Sequence, residues 1–146
     1  GARLAVEFGG YMGLRTLDEA VAVCEQLGWD RAGVLLDSYQ CARAGTPIDA
    51  IRALERDQIA LVQFADASGP SASGEALVTE SRHHRLLPGD GELPLRAFLD
   101  AVVGVGYAGP LVAEVLSDKL RRSDPSEAAP AMFRALTRHA AAGSPP

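Results

Sequence analysis

The run Gly33-Val34-Leu35-Leu36-Asp37 decides the fold. An unbroken apolar run of this length reads as a strand buried on both faces, the pattern of a parallel sheet. It ends on a carboxylate. Three other runs share that grammar: Leu4-Ala5-Val6-Glu7-Phe8, Ile59-Ala60-Leu61-Val62-Gln63 and Leu111-Val112-Ala113-Glu114-Val115. Each carries one polar, metal-competent side chain near its end. Burying a carboxylate in such a place costs on the order of several kcal/mol unless a cation or an arginine compensates it. Four such residues at corresponding strand ends point to one shared site.

Between these runs the periodicity changes to that of helices. The strands are expected at 3–8, 32–37, 59–64 and 110–115. Helix one is expected over 16–27, with Thr16 and Glu19 forming a capping box and Gly28 a stop. Leu17, Ala20, Val21, Cys24 and Leu27 share one face of it. Residues 39–44 read as a short helical turn, and Thr46-Pro47 opens helix two. Segment 66–92 reads as a long loop, small and polar first, then dense in charge, histidine and turn residues. Helix three is expected over 93–103, with Leu95, Phe98, Leu99 and Val102 inward. Asp124-Pro125-Ser126-Glu127 starts helix four, which runs to about 140 before a frayed tail at 141–146.

Strand–helix alternation with apolar strands implies a parallel α/β sheet. Polar residues at the carboxyl ends of successive strands favour a barrel, whose active site is built at that face. No G-x-G-x-x-G follows a strand and no glycine cluster has Walker-A form, which weakens nucleotide-binding alternatives.

Composition sets outer limits. The chain has 146 residues, 47% hydrophobic and 23% charged, enough for one compact core. A formal net charge of −5 with no basic stripe argues against nucleic acid. No apolar run is long enough to span a membrane. Cys24 and Cys41 have no metal-ligand spacing and read as reduced thiols of a cytoplasmic protein.

At LAVEF, RTLDEAVAVCEQLG, VLLDSYQ, IALVQFADA, RHHRLLPGDGEL and GPLVAEVLSD the chain resembles the xylose isomerase-like TIM-barrel superfamily. The superfamily contains sugar-phosphate isomerases, epimerases and 3-dehydroshikimate dehydratases. The stretches come in the family's order. They match only strands five to eight, so the expected fold is α/β: the C-terminal half of a (β/α)8 TIM barrel, with parallel strands and outer helices, over residues 1–140. The resemblance maps a single divalent-metal site onto Glu7, Asp37, Gln63 and Glu114. Gln63, at a position often held by histidine in the epimerases, resembles the dehydratase branch. Gln40 stands where family members often carry a substrate-facing histidine, and a glutamine cannot shuttle a proton near neutral pH. Arg85, at the start of an R-x-x-P-G element, resembles the family's substrate-contacting loop.

Three carboxylates and an amide suit one hard or borderline divalent ion, Mn²⁺ or Mg²⁺ first, Co²⁺ or Zn²⁺ as alternatives. Such an ion polarises a carbonyl and eases loss of a proton from the adjacent carbon. Glu7 and Glu114, on the outer strands, are the expected base and acid. Gln40, Arg85, His83 and Asp66 are the expected substrate contacts, with Asp66 otherwise orienting a ligand or Arg85. The expected activity is that of a metal-dependent lyase or isomerase on a small polyhydroxylated carbonyl compound. A non-catalytic binding protein is the alternative. A nuclease of the endonuclease IV type needs a histidine-rich zinc cluster, and only three histidines are present. Four strands cannot close a barrel. The expected partner is therefore a missing N-terminal half-barrel or a second copy of the chain.

Overall fold

The computed structural model describes residues 2–142, with side chains to residue 140. From residue 143 on, the expected frayed tail lies outside the described residues. Four parallel strands form one sheet in the order β1-β2-β3-β4: β1 Leu4–Val6, β2 Ala32–Asp37, β3 Ile59–Phe64 and β4 Leu111–Ala113. The register places Asp37 beside Gln63, and Gln63 beside Val112. Sequential order with parallel pairing is the topology of a barrel segment, and the expected α/β architecture is found.

Helices follow every strand. They are α1 Leu17–Leu27, α2 Ser38–Arg43, α3 Ile48–Arg52, α4 Gly74–His83, α5 Leu95–Gly104, α6 Asp118–Arg122 and α7 Pro125–Ala142. The expected cap of α1 is formed in full. Thr16 accepts from the Glu19 amide at 3.3 Å, and the Glu19 carboxylate accepts from the Thr16 amide at 3.2 Å. Gly28, at φ 90°, closes its other end by donating to the Cys24 carbonyl.

Two expectations are corrected. Only β2 is buried at every position; β1 and β4 are three-residue edge strands, and Leu4 is 61% exposed. They have a neighbour on one side only, so one edge of each lacks cover. The loop expected over 66–92 contains α4. Small polar residues conceal there a short buried face, Leu77 and Ser81, four apart.

The main core lies between sheet and helices, where Val34, Leu36, Val62 and Phe64 meet Ala20, Cys24, Ile51, Phe98 and Val102. A second, smaller cluster of Tyr39, Ala65, Ala67, Leu77 and Val115 forms beyond the carboxyl ends of the strands. It carries α4 and the segments around it, and so supports the strand ends where the polar residues gather.

Candidate functional site

The strand ends bring three carboxylates together. One oxygen each from Glu7, Asp37 and Glu114 lies within 4.8 Å of the others. Asp37 is the last residue of β2 and the N-cap of α2, a double duty that fixes its rotamer. Its Oδ1 accepts from the amides of Tyr39 at 2.8 Å and Gln40 at 3.3 Å. Its Oδ2 accepts from Arg85 Nη1 at 2.6 Å. Glu114, one residue past β4, accepts through Oε2 from the same Nη1 at 3.1 Å and through Oε1 from Gln63 Nε2 at 3.1 Å. Glu7, one residue past β1, completes the group.

Two oxygens here are buried and accept no hydrogen bond: Glu7 Oε1 and Gln63 Oε1. A buried acceptor without a donor is costly unless a cation takes its place. Three carboxylates also face a single guanidinium. Burial, with Asp37 and Glu114 beside it, pushes the Glu7 carboxyl up to about 7 despite Arg85. Burial likewise raises Glu114, against the pull of Arg85. Unpartnered oxygens, an excess of negative charge and an all-oxygen donor set fit one divalent cation.

The structure gives three residues roles other than the expected substrate contact. Arg85 lies inside the acidic cluster. It is 1% exposed and bonded at all three nitrogens, with Nε to the Ser81 carbonyl at 2.9 Å and Nη2 to Ser81 Oγ at 3.3 Å. Its guanidinium therefore stabilises the carboxylates and does not face solvent. Asp66 is also buried and holds the loop that follows. Its carboxylate accepts from the amides of Ala67, Gly89, Gly91 and Leu93 at 2.8 to 3.0 Å. His83 ends α4 and turns to Asp118, Nδ1 to Oδ1 at 2.9 Å, with its side chain 45% exposed.

Gln40 is buried on α2 beside the β1–α1 loop. Its Nε2 donates to the Tyr11 hydroxyl at 3.4 Å, while Oε1 has no partner. A side chain at Gly9 would meet that oxygen, so Gln40 would have to shift to admit one. Tyr11 in turn bonds Ser81 Oγ at 2.8 Å, which links Gln40 to Arg85 through Tyr11 and Ser81. Tyr11 and Ser81 are absent from the sequence reading. The glycine-rich stretch Gly9-Gly10-Tyr11-Met12-Gly13 after a strand marks Tyr11, whereas Ser81 carries no local signal.

Comparisons with known proteins agree with the fold. A family model described as "Xylose isomerase-like TIM barrel" matches residues 1–138. A 3-dehydroshikimate dehydratase of Pseudomonas putida is 33% identical over 147 residues, covering 92% of this chain and 23% of that protein. A xylose isomerase-like TIM barrel/4-hydroxyphenylpyruvate dioxygenase fusion protein superposes with a TM-score of 0.86 at 28% identity, covering 98% of this chain and 23% of that one. The IOLI protein, solved with a binding zinc atom, superposes with a TM-score of 0.87 at 19% identity, covering 99% of this chain and 51% of that one. The chain thus spans about a quarter of the curated relative and half of the zinc-binding barrel.

Proposed function

The chain belongs to the xylose isomerase-like TIM-barrel family, and on that premise we propose that it carries the metal-holding half of a divalent-metal-dependent lyase or isomerase. Its substrate is a polyhydroxylated carbonyl compound, of which 3-dehydroshikimate is the leading example. The observation that carries this reading is the convergence of Glu7, Asp37 and Glu114 with the unpartnered oxygens of Glu7 and Gln63.

Glu7, Asp37, Gln63 and Glu114 would hold the cation, Mn²⁺ or Mg²⁺ in preference to Co²⁺ or Zn²⁺. When bound, it supplies polarisation of a substrate carbonyl. The chain's own residues supply the proton chemistry. Glu7, at the end of β1, would take a proton from the carbon next to that carbonyl through its carboxylate. Glu114, on the opposite edge strand, serves as the matching acid. Arg85 fixes the direction of the Asp37 and Glu114 carboxyl groups through its hydrogen bonds. Identity to a dehydratase favours the lyase form. The remaining strands of the barrel come from a further half, and β1 and β4 are the edges that would receive it. Among the described residues no helix is long and apolar enough to cross a membrane.

A second reading, a binding protein without turnover, is favoured by Gln40, whose amide cannot carry a proton. Incubation with Mn²⁺ and 3-dehydroshikimate, followed by mass spectrometry, separates the readings. The lyase yields a product lighter by one water and an isomerase a product of equal mass. Binding without either product supports the second reading. Glu114→Gln should abolish turnover with the fold intact, because its amide donates no proton in place of the acid.

A further inference from the structure

Behind the acidic cluster lies a second buried network that the proposed chemistry does not use. Tyr39, fully buried on α2, places its ring 4.5 Å from the Arg85 Cζ and 5.7 Å from the Arg43 Cζ. Both lie within cation–π range. The Tyr39 hydroxyl donates to Glu80 Oε1 at 2.8 Å, and Arg43 Nε donates to the same oxygen at 2.6 Å. Arg43 Nη1 and Nη2 extend the network to the carbonyls of Gly69 and Ser68, in the segment after β3. The Tyr39 hydroxyl, Arg43 and the carbonyls of Ser68 and Gly69 are thus joined through Glu80 Oε1 and the Arg43 guanidinium, which holds the outer end of the ring in place.

The opposite end of that chain is the Arg85 guanidinium. Its nitrogens are set in plane by Ser81, Asp37 and Glu114, but those bonds leave its faces open. The Arg85 Cζ lies over the Tyr39 ring, 4.5 Å from its centroid. We propose that Tyr39 is a positioning residue: its ring holds the Arg85 guanidinium in the orientation that spaces the Asp37 and Glu114 carboxylates for a cation. The role follows from rigid aromatic packing against a planar cation, which an aliphatic side chain of similar volume does not reproduce. It rests on the metal-site reading above, yet its first consequence concerns the metal-free protein. Arg85 should be immobile before any ion binds.

The test compares Tyr39→Phe and Tyr39→Met with the unaltered chain. Nitrogen-15 NMR of the metal-free protein reads the Arg85 side chain, and isothermal titration with Mn²⁺ reads the site. The unaltered chain and Tyr39→Phe, which keeps the ring face, should show separate, slowly exchanging Nη–H signals for Arg85. Tyr39→Met should show averaged signals and bind Mn²⁺ about tenfold more weakly, the scale of lost support around a metal ligand. Tyr39→Leu stands in if the methionine variant does not fold. Unchanged Arg85 signals in Tyr39→Met overturn the proposal. So does undiminished Mn²⁺ affinity in that variant. Absence of Mn²⁺ binding by the unaltered chain removes the metal-site reading instead, while the Arg85 signals still decide the role of Tyr39.

Discussion

Arg85 and Asp37 form an ion pair of 2.6 Å in which both side chains are almost wholly buried. The pair joins the segment after α4 to the end of β2, 48 residues apart in the chain. Removing the cation strands Asp37 in the interior, which in comparable buried pairs costs about 3 to 5 kcal/mol. Arg85→Met should therefore lower the melting temperature strongly in the presence of a chelator. Added Mn²⁺ should restore part of that loss by neutralising the same carboxylates. A variant as stable as the parent would show that the pair does not hold the two segments together.

The acidic cluster should make the metal-free protein less stable as pH rises. The folded Glu7 carboxyl titrates at about 7 against an ordinary glutamate value of 4.5. Folding thus favours its protonated form. That contribution is whole below about pH 4.5, falls through the interval, and is gone above about 7. Glu114 is raised as well and acts with the same sign. Melting temperatures measured with chelator should fall between pH 5 and 8, and Glu7→Gln should fall less steeply. Parallel curves for the two proteins would place the titration elsewhere.

Asp66 organises the backbone of a loop whose Leu87 and Leu93 pack on the apolar clusters. Its four backbone partners span residues 67 to 93. Asp66→Ala leaves those amides without their acceptor. With hydrogen bonds to charged groups worth about 1.5 to 3 kcal/mol each and partly replaced by water, a loss of about 2 to 4 kcal/mol is expected. The loop at 86–93 should also become sensitive to limited proteolysis. Resistance equal to the parent would refute this role.

Gly9 and Gln40 should couple. A methyl group at position 9 collides with Gln40 Oε1. Gly9→Ala alone should destabilise by about 1 to 3 kcal/mol, the usual cost of overpacking. In a Gln40→Ala background the same change should cost much less, and a thermal-melt double-mutant cycle measures the difference. Additive effects would mean that the two residues do not press on one another.

Much of this architecture is legible in the sequence because burial on both faces leaves a compositional mark. Ala32 to Asp37 contains only one polar residue, and that residue sits at the end that matters. The four strand-end polar groups are found by the same logic. The capping box at Thr16 and Glu19 marks α1 to within one residue. Helix α4 is harder to see, since its buried face consists of Leu77 and Ser81, and serine does not announce burial. The function of Arg85 is hidden for a related reason. An arginine in an R-x-x-P-G element reads as a substrate contact, and only the fold shows that Asp37 and Glu114 lie within its reach. Asp66 and His83 have partners 27 and 35 residues away, which short-range sequence cannot reveal.

The most direct test of the account is an anomalous-scattering map from crystals grown with Mn²⁺. The account predicts one strong peak enclosed by Glu7, Asp37, Gln63 and Glu114, with the Glu7 and Gln63 oxygens turned toward it. A map without that peak, in which Arg85 alone compensates the three carboxylates, would contradict it.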